Sequence, residues 1–288
     1  MDGHKSNFID KEKGVKKSIA GISKKLLDKP TKGWKADLPP PASPPNEPLP
    51  TIGFPPNFAN DICLELHTSR LLNRTVVVLS ALGVFPCSIA LIMTLSTREL
   101  KTEPFWFFLT LILAIGIVIG GIGMLRSGIL RPRDEPIRFN RKRGRVYVYR
   151  FHSGGPISRK GWGVRPEAFD WNDLRAEAWS RKAPSPSGVP IFAWGVDIAV
   201  VAPHTNRVID RFQLAGSNAN GEHMWAMARG FMNQGPEALP QYPNPPRDWN
   251  NDVPSYHLAL RLAPKVQWPE DMDRESRTAP CPVQSENG

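Results

Sequence analysis

Two stretches of 22 residues, Thr75–Ser96 (TVVVLSALGVFPCSIALIMTLS) and Pro104–Leu125 (PFWFFLTLILAIGIVIGGIGML), contain no Asp, Glu, Lys, Arg or His. As a helix each is about 33 Å long, and the hydrocarbon core of a bilayer is about 30 Å thick. A helix on the surface of a soluble protein needs a polar face, and neither stretch has one. The sequence therefore predicts transmembrane helices over 75–96 and 104–125. The connection at 97–103 allows only an antiparallel helical hairpin, which puts both ends of the chain on one side of the bilayer.

Lysine and arginine near the span ends predict which side that is. The connection carries Arg98 and Lys101. Outside the hairpin stand Arg70 and Arg74 before the first span, and Arg126, Arg131, Arg133, Arg138, Arg141, Lys142, Arg143 and Arg145 after the second. Ten against two predicts cytoplasmic termini and a periplasmic turn, with Trp106, Phe105, Phe107 and Phe108 as an aromatic belt at the outer interface. The expected location is the bacterial inner membrane. No secretory signal is expected in the first 70 residues, which hold no apolar core of the required length.

The 288 residues carry a net charge of +10, and the mean hydropathy is −0.32 despite the two apolar runs. Everything outside the hairpin is thus strongly polar. The basic residues cluster beside the spans, where topology and anionic lipid account for them, so no nucleic-acid partner is expected. Cys63, Cys87 and Cys281 show no paired spacing, so neither a disulfide framework nor a zinc site is expected.

Residues 1–56 read as a basic and proline-rich cytoplasmic arm, largely disordered. Within it Val15, Ile19, Ile22 and Leu26 recur at helical spacing among nine lysines in residues 11–35. That pattern fits either a basic amphipathic helix on the inner leaflet or a solvated tail. Nine prolines in residues 39–56 predict an extended spacer. Residues 57–74 are expected to form a short helix leading into the membrane. Inside the spans, Pro86 predicts a kink. Gly116 and Gly120 form a GxxxG pair, extended by Gly121 and Gly123, expected to pack either on the first span through Gly83, Cys87 and Ala90, or on a second copy as a homo-oligomer seam.

Residues 134–240 read as a cytoplasmic domain of strands followed by one helix. Ile137–Asn140 and Arg145–Phe151 flank RKRG, a hairpin with Gly144 where positive φ is needed. After the loop SGGPISRKGWG come strand patterns over Phe169–Trp179, Ile191–Trp194, Val196–Val201 and Arg207–Leu214. Asn218 or Asn220 can cap a helix burying Met224, Trp225, Ala228, Phe231 and Met232, and Gly235-Pro236 ends it. The expected fold class is an α+β membrane protein: a two-helix transmembrane hairpin, then a pleckstrin-homology-like curved antiparallel sheet closed by a C-terminal helix. Residues 241–288 read as a proline-rich tail, with a short strand or helix at Ser255–Leu262 and a disordered final dozen residues.

The segments RFNRKRGRVYVYRF (138–151), FDWNDLRAEAW (169–179) and FMNQGPEALP (231–240) resemble an uncharacterised bacterial two-span family, catalogued only as a domain of unknown function. The resemblance covers roughly residues 60–240. It implies a role beside type VI secretion effectors, as an immunity or accessory protein that binds a secreted effector. It brings no catalytic, cofactor-binding or metal residue.

Chemistry gives little more. His4, His67, His152, His204, His223 and His257 show no metal-ligand spacing, and His223 reads as a surface or boundary residue. Asp170 and Asp173 read as turn or capping residues. No phosphate-loop or nucleophile-elbow motif occurs, so neither catalysis nor a cofactor is expected. The remaining candidate is a basic and aromatic surface, Arg141, Lys142, Arg143, Arg145, Arg159, Lys160 and Trp162. It is read as a contact for anionic lipid or a protein partner, or as a topology determinant alone.

Overall fold

The computed structural model describes residues 25–51, 53, 55–68, 71–94, 101–158, 160–183, 191–248, 250–255 and 257–280. The stripe at Val15–Ile22, Arg159, and the last eight residues of the tail lie outside the described residues, as do residues 95–100 of the connection between the spans. The described chain divides into two compact units. One draws on Met1–Phe54, Arg141–Arg145 and Phe169–Pro243; the other on Pro55–Asn140, Val146–Ala168 and Asn244–Gly288.

The first unit is a four-stranded sheet with a helix on it. Its strands are β1 (Trp34–Asp37), β7 (Leu174–Ala183), β8 (Ile191–Val201) and β9 (Val208–Ala215), in the order β1-β7-β8-β9. All three pairings are antiparallel. Along β7, Leu174, Ala176 and Ala178 lie on one face, as the alternation predicts, but Glu177 and Trp179 on the other face are buried too. The segment before β1 covers that second face. Leu27 packs on Ala199, Val201 and Val208, and the Thr31 amide donates to both Glu177 carboxylate oxygens at 3.1 and 3.2 Å.

The helix of this unit, α3 (Asn218–Gln234), buries Met224, Trp225, Ala228, Phe231 and Met232, as expected. Its cap is Ser217, whose hydroxyl accepts from the Asn220 amide, rather than Asn218 or Asn220. It stops at Gly235, where φ is +100°. The proline-rich segment is not a free spacer. Trp225, Arg229 and Asn233, four residues apart on α3, donate side-chain hydrogen bonds to the carbonyls of Pro39, Ser43 and Pro41. Proline carbonyls have no partners within their own extended segment, so a helix face of donors satisfies them.

The second unit holds a five-stranded sheet, ordered β2-β3-β4-β5-β6, and the two long helices. Its strands are β2 (Phe58–Ala59), β3 (Cys63–Leu66), β4 (Ile137–Asn140), β5 (Arg145–His152) and β6 (Gly163–Asp170). Phe58–Ala59 and Cys63–Leu66, expected within a helix over 57–74, are therefore strands. The helices α1 (Leu71–Met93) and α2 (Pro104–Leu130) leave from β3 and return into β4. An antiparallel helix pair returns the chain beside its starting point, so β3 and β4 meet antiparallel, with Glu65 opposite Arg138. The strands of 134–215 thus divide between two sheets and close no barrel. The expected hairpin of β4 and β5 stands, with Gly144 at φ +62°.

The helices α1 and α2 are long and apolar enough to cross a membrane, and only 17% and 11% of their most apolar windows are buried. Leu79, Ile89, Phe105, Trp106 and Ile112 stand exposed. Of the expected glycines their mutual packing uses Gly121 but not Gly83, Gly116 or Gly120. A Cβ built at Gly83, Gly116 or Gly120 meets nothing, whereas Gly121 abuts Val84 and Phe85, and Gly128 abuts Val78 and Val77. The GxxxG pair and the buried glycines lie on different helix faces, and spacing alone does not say which face meets the partner.

The tail is also structured. It forms α4 (Leu258–Leu262) and α5 (Glu270–Arg277). α4 packs on α1 and α2, and α5 packs on β4. Asn140 Nδ2 donates to the carbonyls of Glu275, Ser276 and Thr278, and the Tyr147 hydroxyl bonds Glu275 at 3.0 Å.

Candidate functional site

The polar centre of the second unit is Arg138, which is 2% exposed. Its guanidinium meets Glu65 at 2.5 Å, Asp273 at 2.7 Å and Ser276 Oγ at 2.8 Å, and lies 4.4 Å from the Trp268 ring centroid. β4 supplies the arginine, β3 the first carboxylate and α5 the second. Burial works to raise the pKa of Asp273, but Arg138 and Arg277 overcome it and hold the carboxyl low. An isolated guanidinium could not be buried here; two anions make it tolerable.

Beside this centre opens a cleft of about 600 Å³, whose walls include Phe58, Arg247, Trp268, Arg274 and Arg277. Cations and anions alternate around it: Arg247 pairs with Asp252 at 3.1 Å, Arg274 with Asp271 at 2.7 Å and Arg277 with Asp273 at 3.2 Å. Asn57 Oδ1 and Trp268 Nε1, in its wall, have no hydrogen-bond partner among the described residues. Among the described residues its lining contains no Ser, Thr, Cys, His, Lys or Tyr. Its carboxylates at Glu65, Asp134, Asp248 and Asp273 are engaged by arginines or backbone amides, so the cleft suits recognition of a charged polypeptide better than proton or acyl transfer.

At the base of the helices Asp134 is 3% exposed. Its carboxylate accepts from the amides of Thr68 at 3.0 Å and Glu135 at 2.9 Å, and from Asn57 Nδ2 at 3.2 Å. Burial pushes its pKa up to about 6, against the opposing pull of those three donors. Next to it Arg133 ties the tail down, donating to the carbonyls of Asn250, Leu260, Arg261 and Ala263. Seven backbone and side-chain groups thus anchor the junction between helices and sheet.

The loop 153–162 lies against α2. Pro156 Cβ would be 2.9 Å from a Cβ at Gly123, and Arg126 donates to the carbonyls of Pro156 and Ser158 at 3.0 and 2.9 Å. The Trp162 indole N–H donates to the Gly155 carbonyl at 2.9 Å.

The basic and aromatic residues read from the sequence divide between the two units. Arg141, Lys142, Arg143 and Arg145 belong to the first unit, where Arg141 packs on Gly235 and the Gly144 carbonyl accepts from the Trp171 amide. Lys160 and Trp162 belong to the second. Closeness in sequence across one loop did not become closeness within one unit. His223, expected at the surface, is 6% exposed and bonds the Tyr242 hydroxyl at 3.3 Å; burial lowers its pKa. Asp170 does cap a turn, accepting from the Asn172 amide. Among the described residues no group of three or more His, Cys, Asp or Glu could hold a metal ion.

Sequence reasoning missed Glu65, Asp273 and Trp268 altogether. The available signal was the acidic run of α5, EDMDRESR, which offers carboxylates to a chain otherwise rich in arginine.

A family model described as "Family of unknown function (DUF6708)" matches residues 114–280. It takes in most of α2 and the whole described tail, which the sequence-derived resemblance had left out. No curated protein and no solved structure matches the chain.

Proposed function

The chain belongs to the DUF6708 family of unknown function, and from that premise we propose that it is a membrane-anchored binding protein rather than an enzyme. The helices α1 and α2 span the inner membrane, with both ends of the chain in the cytoplasm. Their exposed apolar surface supports the spanning, and the ten-to-two excess of Lys and Arg supports the orientation. Of the pleckstrin-homology-like reading, what survives is confined to the first unit: an antiparallel sheet followed by α3.

The observation that carries the reading is the cleft beside Arg138. It is open, its rim alternates in charge, it exposes an aromatic ring at Phe58, and among the described residues it offers no nucleophile. A charged segment of a partner protein fits that chemistry. Tethering confines the cleft to the membrane surface and raises its effective concentration against a partner arriving there. The resemblance drawn from the sequence supplies the partner's class, an effector delivered by type VI secretion, and so an immunity or accessory role.

The test is a toxin-sensitivity assay on cells deleted for this gene. Cells lacking it should be killed by the toxin encoded beside it, and the full-length chain should restore survival. Arg274→Glu with Arg277→Glu should abolish the rescue while leaving the protein in the membrane fraction. Deletion cells as resistant as the parent would end the immunity reading.

A further inference from the structure

We propose that the loop 153–162 and helix α4 form a collar around the base of the helix pair that inserts shallowly into the same leaflet, with apolar tips at Ile157, Leu258 and Leu262 and cations at Arg126, Lys160 and Arg261. The proposal rests on the membrane-spanning reading of α1 and α2.

Depth is the first ground. α2 runs for 27 residues, about 40 Å, which exceeds a hydrocarbon core of about 30 Å by roughly seven residues. Its first charged residue is Arg126, so the apolar stretch ends near there. Pro156 touches α2 at Gly123, one turn before that charge, and Arg126 clasps the carbonyls on either side of Ile157. The tip of the loop is thereby held at the boundary between acyl chains and headgroups. On α1 the Thr75 hydroxyl lies 2.9 Å from His257 Nδ1, the residue before α4, which fixes α4 at the start of the apolar run.

Exposure is the second ground. Ile157 is 64% exposed, Leu258 55% and Leu262 54%, although each stands on a segment anchored to the helices. Single exposed apolar residues need no explanation; three on segments held against the same end of two apolar helices match an interfacial element. Charge is the third ground. Neither 153–162 nor 257–263 contains Asp or Glu, while Lys160 and Arg261 are exposed. Long cationic side chains at that depth reach lipid phosphates with their heads while their stems stay in apolar surroundings.

Nitroxide accessibility on the full chain in nanodiscs of phosphatidylcholine and phosphatidylglycerol tests this. Cys87→Ala and Cys281→Ser leave Cys63, whose buried thiol has its pKa pushed up to about 12 and resists labelling. Labels go at Ile157→Cys and Leu258→Cys, with Leu113→Cys inside α2 and Glu237→Cys on the first unit as references. Labels at 157 and 258 should collide more with oxygen than with a water-soluble nickel chelate, as at 113, and the reverse should hold at 237. A lipid-like 113 with aqueous 157 and 258 would overturn the collar and spare the spanning reading; an aqueous 113 would overturn both. Lys160→Glu with Arg261→Glu should also lower, at least twofold, the phosphatidylglycerol retained by the detergent-extracted chain. Unchanged retention would remove the cations from the proposal.

Discussion

In the four-stranded sheet the most deeply buried charge is an acid, Glu177, met by the Thr31 amide and by Arg211 at 2.7 Å. In the five-stranded sheet it is a base, Arg138, met by Glu65 and Asp273. Both sit on a strand face that the sheet itself cannot cover. Opposite ends of the chain cover them: the segment around Thr31 in the first unit and α5 in the second. The two charges nevertheless differ in what they can do when their cover fails. A carboxyl can take up a proton and become neutral, and burial already raises the pKa of Glu177. A guanidinium stays charged at any pH a protein survives. The base therefore binds its terminal segment more strictly than the acid does.

That difference is open to attack by mutation, and the largest effect is expected at Arg138. Arg138→Met strands Glu65 and Asp273 and should cost about 3–5 kcal/mol, read as a lower unfolding midpoint in detergent and faster proteolysis of the tail. Adding Glu65→Met should recover part of the loss; a double variant as weak as the single one would mean that the ion pair is not what holds α5.

The next effect is a pH dependence. Asp134 has a folded pKa of about 6, above the ordinary carboxylate range. Its stability contribution is full in acid, where the folded and unfolded states both hold the proton. It is lost as pH rises from about 4 to 6, and is flat above that. The span is worth about 3 kcal/mol, and Asp134→Asn should flatten the melting temperature across this window. Glu177 tilts the same way, so the variant removes only part of the slope.

Smaller effects separate the two sets of glycines. At Gly128 an added methyl would sit 2.4 Å from Val78 Cγ2, and a β-branched neighbour cannot swing aside. Gly128→Ala should cost about 1–3 kcal/mol in a denaturant titration of the helix pair. Glu177→Gln keeps a partner for Thr31 and should cost about 1–2 kcal/mol, less than any change that strands a charge at Arg138. Gly120→Ala, facing open space, should stay within about 0.5 kcal/mol of wild type. A large loss at Gly120 instead would place a second copy of the chain on that face, the homo-oligomer seam that the GxxxG spacing allows.

The candidate site was less legible than the fold. The cleft draws Phe58 and Glu65 from before the spans, Arg138 from after them, and Trp268, Arg274 and Arg277 from the tail. No local spacing connects three segments that far apart. The basic run at 141–145 was conspicuous because its charges are consecutive, yet its hairpin turn belongs to a different unit from Lys160 and Trp162.

By itself the sequence determined whatever depends on composition over one or two turns or strands. It marked two helices with no polar face, a hairpin at Gly144, and a helix with one apolar stripe that ends at Gly235. Those signals are local because helix hydrogen bonds, tight turns and caps all close within a few residues. Only the tertiary structure decided that Phe58–Ala59 and Cys63–Leu66 are strands, that the proline-rich arm lies on α3, that the tail docks on β4, and which glycines face α1. Each of these needs a partner brought from far along the chain. A strand edge, a proline carbonyl or a buried guanidinium carries no mark in the sequence of the group that will satisfy it.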